Sequence, residues 1–223
     1  MYEHHIVLDF EMNPTDGNAI GLNSEIIEIG AVKLDRELRV VDRFRCYVKP
    51  RYSYQVTPYI SRLTGIHPTK AMSAESFELS IEKLSEWIGA SKGVRIYSWS
   101  DTDLRQLRDE CRYKGVPFPA NMRRWLDLQK VFPRFMKISD DRRRIALKEA
   151  ARYADITVDS GKAHDALYDS EITAELLIFI LSGRYREQLD CLSRYTQSDG
   201  GSSSLGDVCG GVLADLLRQL SPD

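Results

Sequence analysis

The stretch HHIVLDFEMNP near the N-terminus constrains the fold more than any other part of the chain. It starts as a strongly apolar run typical of a buried strand, and it ends in two carboxylates, Asp9 and Glu11. Residues i and i+2 of a strand point to the same face of the sheet, so the two acids should lie side by side. Because like charges at a buried strand end repel and are costly to desolvate, the stretch predicts a positive partner there.

Composition and charge restrict the classes of protein that fit. The 223 residues suffice for one sizeable domain with an appendage or for two small domains. A hydrophobic fraction of 43% is ordinary for a globular protein, and a net charge of −2 gives no general attraction to nucleic acid or to an anionic membrane. Four scattered cysteines without a CxxC pair favour reduced thiols and a cytoplasmic setting. We expect neither a membrane span nor a signal peptide.

The periodicity of apolar residues predicts a mixed α/β fold. Three alternating runs near the N-terminus predict an antiparallel meander, and helical and short strand patterns alternate after it. This order is typical of a mixed sheet covered by helices on both faces. The strands are predicted at 4–10, 24–35, 39–50 and 93–100, with a short strand or turn at RWLDL (124–128). The helices are predicted at 73–89, 101–115, 144–154 and 164–182, with another helix after RWLDL.

The character of the chain changes near its C-terminal end. We predict one domain over residues 1–190, a flexible Ser/Gly-rich linker over 191–204 and an amphipathic tail over 205–223. The tail could fold back on the domain, pair with a protein partner or stay disordered. Nothing in it suggests chemistry.

Two further acids complete a set with Asp9 and Glu11. Asp103 lies just past the fourth predicted strand, and Asp169 follows His164 by five residues. Strand ends of a mixed sheet can gather such groups into one pocket, where they would repel unless cations lay between them. Oxygen ligands suit Mg²⁺ or Mn²⁺, and two such ions about 3.5–4 Å apart support phosphodiester cleavage.

The ordered set of these residues resembles the signature of the DEDDh 3′–5′ exonuclease family, which has a ribonuclease-H-like fold. The matching residues span roughly 4–182 and are Asp9, Glu11, Asp103, His164 and Asp169. The phrases LDFEMN, YSWSDTDLRQLRDECRYKGVPFP and RWLDLQKVF are similar to the Eri-like branch, which acts on RNA 3′ ends, and to its bacterial relatives; DFEM is also similar to oligoribonucleases. The resemblance implies an exonuclease domain built on a mixed five-stranded sheet.

The resemblance also implies a role for each of these residues. Two Mg²⁺ or Mn²⁺ ions would occupy the site, with Asp9 bridging both. Glu11 and Asp169 would complete the first ion's ligands, and Asp103 would support the second. His164 would be the general base on the attacking water, from a loop just before the helix that carries Asp169; an imidazole suits this task because it titrates near neutrality.

Some nearby polar residues have simpler interpretations. Asp101 competes with Asp103 as a ligand, but the spacing of the family favours Asp103 and leaves Asp101 as the N-cap of the following helix. Asp165 is expected to be a cap or a first-turn acid. The remaining histidines, His4, His5 and His67, are expected to be structural.

A second set of residues is predicted to bind the substrate. The stretch VTPYISRLTGIHP resembles the family segment that lines the 3′-nucleotide pocket, although it could be only a short helix and turn. The backbone beside the metal ligands could hydrogen-bond the terminal 3′-OH, and Trp99 could stack on a base or be a core aromatic residue. The predicted substrate-binding residues are Phe10, Met12, Thr64, Gly65, Ile66 and Trp99.

The segment 105–152 carries 14 basic and six acidic residues, a net charge of +8. It could form a basic strand-binding face, with DDRRR (140–144) as a contact, or a solvated helix surface. Together the patterns predict a metal-dependent 3′–5′ exonuclease that acts on single-stranded 3′ ends and releases nucleoside 5′-monophosphates, with RNA favoured. The alternatives are an exonuclease of single-stranded DNA, an oligoribonuclease, a non-catalytic module that binds 3′ ends, and a ribonuclease-H-like endonuclease.

Overall fold

The computed structural model describes residues 2–15, 21–90, 92–138 and 144–190. These residues form two compact units, the first from Met1–Asp127 with Gly161–Glu171 and the second from Leu128–Ser160 with residues from Ile172 onward. The predicted linker and tail, and most of the DDRRR segment, lie outside the described residues. The predicted domain boundaries therefore stay a prediction.

The first unit contains a six-stranded mixed sheet in the order β4-β3-β2-β1-β5-β6. The pairs β1–β2 and β2–β3 are antiparallel, whereas β1–β5, β5–β6 and β3–β4 are parallel. The predicted mixed α/β class is confirmed. The strands are β1 (His4–Pro14), β2 (Ser24–Leu34), β3 (Val40–Lys49), β4 (Glu75–Ser76), β5 (Val94–Ser98) and β6 (Trp125–Asp127).

The sheet has six strands where five were predicted. The sixth strand, β4, contains only Glu75 and Ser76, which pair with Val48 and Lys49 at the edge of β3. The sequence pattern predicted a helix over these two residues. The helix instead begins after Ser76, whose hydroxyl accepts a hydrogen bond from the backbone N–H of Leu79 and caps it.

The helices agree with the predicted pattern to within a few residues. His164 precedes the last helix, as predicted, and the helix predicted from residue 144 begins at Leu147. The helices are α1 (Pro58–Thr64), α2 (Pro68–Met72), α3 (Phe77–Ile88), α4 (Thr102–Lys114), α5 (Leu128–Phe135), α6 (Leu147–Tyr153) and α7 (Ala166–Leu181), with a 3-10 helix at Ala120–Met122.

The two faces of the sheet carry different side chains. Ile6, Leu8 and Phe10 of β1 join one buried core with residues of α3 and α4, including Phe77 and Leu107. The alternate residues of β1 point to the opposite face. On that face β2 presents Gly30, where the backbone of Ala166 at the start of α7 lies so close that a Cβ atom would be 2.1 Å from a backbone carbon. Helices thus cover both faces, as predicted.

The described residues of the second unit are largely helical. Phe132 of α5 packs on Tyr153 of α6 with ring centroids 6.4 Å apart, and Phe135 packs on Tyr185 at 5.1 Å. Gln129 donates a hydrogen bond to the carbonyl of Ile145. Within the described part of the chain, no helix has both the length and the apolar character needed to cross a membrane.

Candidate active site

The candidate site begins at the C-terminal half of β1. Asp9 lies opposite Gly30 of β2, and Glu11 lies opposite Glu28, so all four positions share one face of the sheet. The register shifts between Glu11 and Met12, immediately after the second acid. Bulges of this kind re-aim side chains and occur often beside active sites.

Asp103 reaches the same place from the first turn of α4. Its carboxylate oxygen Oδ1 accepts a hydrogen bond of 3.2 Å from the backbone N–H of Phe10, the residue between the two acids of β1. Only 5% of Asp103 is exposed. Asp101 lies at the N-cap position but makes no capping hydrogen bond, because its carboxylate pairs with Arg105 instead. The prediction that Asp101 caps α4 through its side chain is therefore wrong.

The segment just before α7 supplies His164, and the first turn of α7 supplies Asp169. The hydroxyl of Ser170 donates to the carbonyl of Gly30 at 2.9 Å, which fixes the first turn of α7 against β2. Asp165 caps the helix by accepting a hydrogen bond of 3.0 Å from the N–H of Tyr168, as predicted. His164 precedes the helix with a positive φ of 66°, and its backbone N–H donates to Asp169 at 3.1 Å.

The side chains of the predicted catalytic set meet at this point. One ligand atom from each of Glu11, His164 and Asp169 lies within 4.8 Å of the other two. Asp9 lies two residues before Glu11 on the same face of β1, and the negative charges of Asp103, Glu11 and Asp169 add to burial in raising its pKa. The structure thus brings together five residues that are separated by up to 160 positions in the sequence.

The carboxylates are destabilised as anions in the absence of a cation. Burial and the neighbouring carboxylates raise the pKa of Glu11 to about 9 and that of Asp9 well above its usual range. Burial raises the pKa of Asp103 to about 7, although the N–H of Phe10 opposes the shift. The pKa of Asp169 is also raised by burial, against the hydrogen bond from His164.

This donor set fits divalent metal ions. Among the residues that the structure describes, no lysine or arginine forms an ion pair with any of these four carboxylates. Clustered carboxylate oxygens are the ligands that suit Mg²⁺ and Mn²⁺, and the adjacent imidazole of His164 is left for proton transfer. The site therefore has the acidic groups for a cation, and within the described part of the chain no lysine or arginine is paired with them.

The segment predicted to line the 3′-nucleotide pocket lies beside the end of β1. Asn13 joins the two regions, since its side-chain oxygen accepts from the N–H of Thr57 at 2.8 Å and its amide donates to the carbonyl of Gln55. Thr57 caps α1. The predicted segment is thus a helix and turn that are tied to the strand of Asp9 and Glu11.

Within that segment the side chains are already engaged. The hydroxyl of Thr64 donates to the carbonyl of Ile60 and accepts from the N–H of Ile66, whose side chain is 3% exposed in a small core. Gly65 ends α1 with φ of 71°, and a Cβ atom there would have no neighbour within 4 Å. The backbone around Gly65 is the part left open to a ligand, so a contact through the Ile66 side chain would require rearrangement.

The other predicted substrate-binding residues are mostly buried. Trp99 is 7% exposed and Phe10 5%, and the Phe10 ring packs in the core near Trp125. Met12 is partly buried against the same core. Trp99 thus matches the core interpretation better than the stacking one. The Phe10 side chain points away from the acids, and its N–H is bound to Asp103.

Part of the positive charge of the basic segment is already paired within the first unit. Lys114 is fully buried between two glutamates, Arg105 pairs with Asp101, and Arg112 pairs with Asp109. The net charge of the segment therefore overstates the charge offered to a ligand. The segment also belongs partly to each of the two units.

Three residues around the site were not predicted from the sequence. Asn13 holds α1 to β1, while Glu28 and Arg45 lie on the sheet face of Asp9 and Glu11 and form an ion pair with an Nε–Oε1 distance of 2.6 Å. Glu28 could have been noticed as an acid inside an apolar strand pattern. The pairing of β2 with β3, which places Arg45, has no local signal.

Comparison with known proteins identifies the class. A family model described as Exonuclease matches residues 6–177, more than half of the chain. The chain therefore belongs to this exonuclease family, as the resemblance predicted.

Two curated relatives illustrate the range of the match. The chain is 32% identical over 171 residues to the probable 3′-5′ exonuclease KapD of Bacillus subtilis, covering 74% of this chain and 78% of that protein. It is 26% identical over 187 residues to mouse 3′-5′ exoribonuclease 1, covering 81% of this chain and 53% of the mouse protein. The chain thus spans about half the length of such mammalian relatives.

A solved structure supports the fold. The nuclease domain of 3′hExo, described as a DEDDh family member bound to rAMP, matches with a TM-score of 0.72 at 24% identity. The match covers 82% of this chain and 93% of that domain. The predicted ribonuclease-H-like exonuclease fold is therefore confirmed.

Proposed function

We propose that this chain is a divalent-metal-dependent 3′–5′ exonuclease that removes nucleoside 5′-monophosphates from single-stranded 3′ ends, with RNA favoured over DNA. The observation that carries the proposal is the convergence of Glu11, His164 and Asp169 within 4.8 Å, with Asp9 and Asp103 beside them. The family match and the names of the relatives, which include exoribonucleases, support the activity and the choice of RNA.

Each residue has a task in this mechanism. Asp9, Glu11, Asp103 and Asp169 would hold two Mg²⁺ or Mn²⁺ ions. When bound, such ions supply polarisation of the attacking water and charge stabilisation at the leaving oxygen. His164 takes the proton from the water; its side chain is exposed, and its backbone is tied to Asp169, so the imidazole can face an incoming strand.

Specificity for a 3′ end would arise beside the end of β1. The α1 segment, fixed there by Asn13, would receive the terminal nucleotide against the open backbone around Gly65. A glycine with positive φ leaves the backbone uncovered, so a sugar can approach closely. Thr64 and Ile66 would shape this turn, and the β1 backbone at Phe10 and Met12 would approach the 3′-OH.

Unpaired Cys46 and Cys111 are compatible with the proposed reducing, cytoplasmic setting.

The test is a time course with 5′-labelled single-stranded RNA and its DNA counterpart in Mg²⁺ or Mn²⁺. We expect loss of one nucleotide at a time, faster for RNA, and no product with chelator. Asp9→Ala should lower the rate by about 10³-fold or more, because several kcal/mol of metal-dependent stabilisation are lost. Asp109→Ala, which removes an exposed acid of α4, is the matched control and should keep full activity.

Other outcomes would replace the proposal. Tight binding of intact oligonucleotides would favour a 3′-end-binding module, and internal cuts in a 3′-blocked strand would favour an endonuclease. Faster turnover of the DNA substrate would overturn the RNA preference, and activity restricted to strands of a few nucleotides would favour an oligoribonuclease.

A further inference from the structure

A chain of three charged residues connects the sheet to the loop of His164. Arg45 of β3 donates from Nε to Glu28 of β2 at 2.6 Å and from a terminal nitrogen to Asp165 at 2.7 Å. The Glu28 side chain is fully buried, whereas those of Arg45 and Asp165 are 37% and 28% exposed. The guanidinium group therefore bridges a fixed strand and a residue next to His164.

The register of the strands explains why Arg45 can contact both Glu28 and Asp165. Gly30 of β2 lies opposite Asp9 on one side and opposite Arg45 on the other. Because Gly30 has no side chain, the start of α7 occupies the space above it, with the backbone of Ala166 in close approach. Asp165, the residue before Ala166, therefore lies within contact distance of Arg45.

Asp165 fixes the backbone of the residues before and after it. It caps α7 through the N–H of Tyr168, and its carbonyl accepts from the N–H of Asp169 at 2.8 Å. His164, directly before it, has a left-handed backbone with φ of 66°, a conformation that a non-glycine residue keeps only when its surroundings impose it. Holding Asp165 thus holds the backbone that orients both His164 and Asp169.

We infer that Arg45 is a positioning residue for the active site: through Asp165 it holds the His164–Asp169 segment against β2, with buried Glu28 as its anchor. The inference rests on the proposed function where it concerns turnover. It predicts that loss of the bridge loosens the segment before it affects the rest of the fold.

The test compares Arg45→Met with Arg43→Met. Arg43 lies two residues earlier on the same strand and also pairs with an acid of α7, Glu171, at 2.6 Å. Among the described residues, Arg43 forms no ion pair with the His164 loop or with the site-facing Glu28. Arg45→Met should lower kcat by about 30-fold with KM within about twofold, in the range for residues that orient metal ligands. Arg43→Met should change kcat by less than about twofold.

A second readout does not depend on activity. Amide hydrogen exchange over residues 161–170, measured on metal-free protein, should accelerate in Arg45→Met and stay as in wild type in Arg43→Met. Arg45→Lys should restore part of the protection, since an ammonium group can replace one of the two contacts.

A further variant covers the case in which Arg45→Met does not fold, because it leaves Glu28 buried without its partner. Asp165→Asn keeps the side-chain oxygen that caps α7 and leaves Glu28 paired, but it removes the charge that holds the loop. It should lower kcat by about tenfold and accelerate exchange over the same residues.

The results separate the two proposals. Wild-type kcat and wild-type exchange in folded Arg45→Met or Asp165→Asn would overturn the positioning role. A wild-type chain that degrades neither RNA nor DNA would overturn the exonuclease proposal, while the exchange experiment would still test the bridge. Uniformly faster exchange over the whole chain would mean that Arg45 has only a general structural role.

Discussion

Two buried groups of acids in the first unit differ in where their positive charge comes from. Glu25 and Glu110 both bind the ammonium group of Lys114, at 2.8 and 2.7 Å, and all three side chains are fully buried. At the end of β1, Glu11 and its neighbours have no such partner among the described residues, and the pKa of Glu11 rises to about 9.

The difference separates a structural cluster from a ligand site. Burial by itself raises the pKa of Glu25, but the hydrogen bonds from Lys114 and from the N–H groups of Arg51 and Tyr52 outweigh burial and lower it. Burial keeps the pKa of Glu110 raised despite Lys114. A buried charge network that is balanced within the chain holds elements together, whereas an unbalanced one depends on a cation from solution.

Removal of the positive charge of Lys114 should change the free energy of unfolding more than any other substitution considered below. Lys114→Met keeps the apolar stem but leaves Glu25 and Glu110 buried without their partner, so we expect the free energy of unfolding to fall by about 3–5 kcal/mol. Urea denaturation monitored by circular dichroism measures it. A loss below about 1 kcal/mol would contradict the view that Lys114 balances the charge of its cluster in a way that the cluster at the end of β1 lacks.

Removal of Glu11 from the cluster at the end of β1 should instead increase the stability of the metal-free protein. A carboxyl group whose pKa is raised on folding contributes stability below its ordinary pKa of 4.5 that is lost as the pH rises to about 9. Glu11→Gln removes the ionisable group and with it this loss of stability at neutral pH. The free energy of unfolding of the metal-free protein should therefore increase by about 2 kcal/mol at pH 7.

The same variant should lose exonuclease activity, which distinguishes a stabilised fold from an intact site. Denaturation in chelator gives the stability, with Asp109→Ala as the control acid. Destabilisation by Glu11→Gln in chelator would contradict the account of an unbalanced cluster.

The smallest expected effect is the pH dependence of stabilisation by metal. Protons compete with Mn²⁺ for carboxylates whose pKa values are raised, to about 7 for Asp103 and about 9 for Glu11. As the pH rises, the metal-free protein loses stability while the ligated carboxylates keep their charge compensated. The increase in Tm caused by excess Mn²⁺ should therefore be at least about 3 °C larger at pH 8 than at pH 5.5.

Differential scanning fluorimetry on wild type and Glu11→Gln checks this trend. The variant should show a weaker pH dependence, because one of the competing groups is gone. An Mn²⁺-induced shift that is equal at both pH values in wild type would contradict the assignment of these carboxylates as ligands.

The sequence predicted the parts of the site that depend on local patterns. An apolar strand followed by Asp9 and Glu11, and the spacing from His164 to Asp169, are short-range signals, and the strand ends did bring these residues together. The main strands and helices were predicted for the same reason, since the period of their apolar residues reflects burial on one face.

Features that depend on pairing between distant segments were not predictable. Strand β4 contains two residues and has no periodicity of its own. Lys114 was counted in a basic segment that could be a strand-binding face or a solvated helix surface, although its charge is buried between acids that are 4 and 89 residues away. Asp101 looked like a cap, but an arginine one turn later competes for its carboxylate. The bridge through Arg45 likewise exists only because β2, β3 and α7 meet.

The central claim is that the acids at the end of β1 share divalent cations, and anomalous diffraction from crystals grown with Mn²⁺ tests it most directly. We predict two anomalous peaks among Asp9, Glu11, Asp103 and Asp169, with none beside Lys114. Crystals that show Mn²⁺ only elsewhere, or no anomalous peak within coordination distance of these four carboxylates, would contradict the claim.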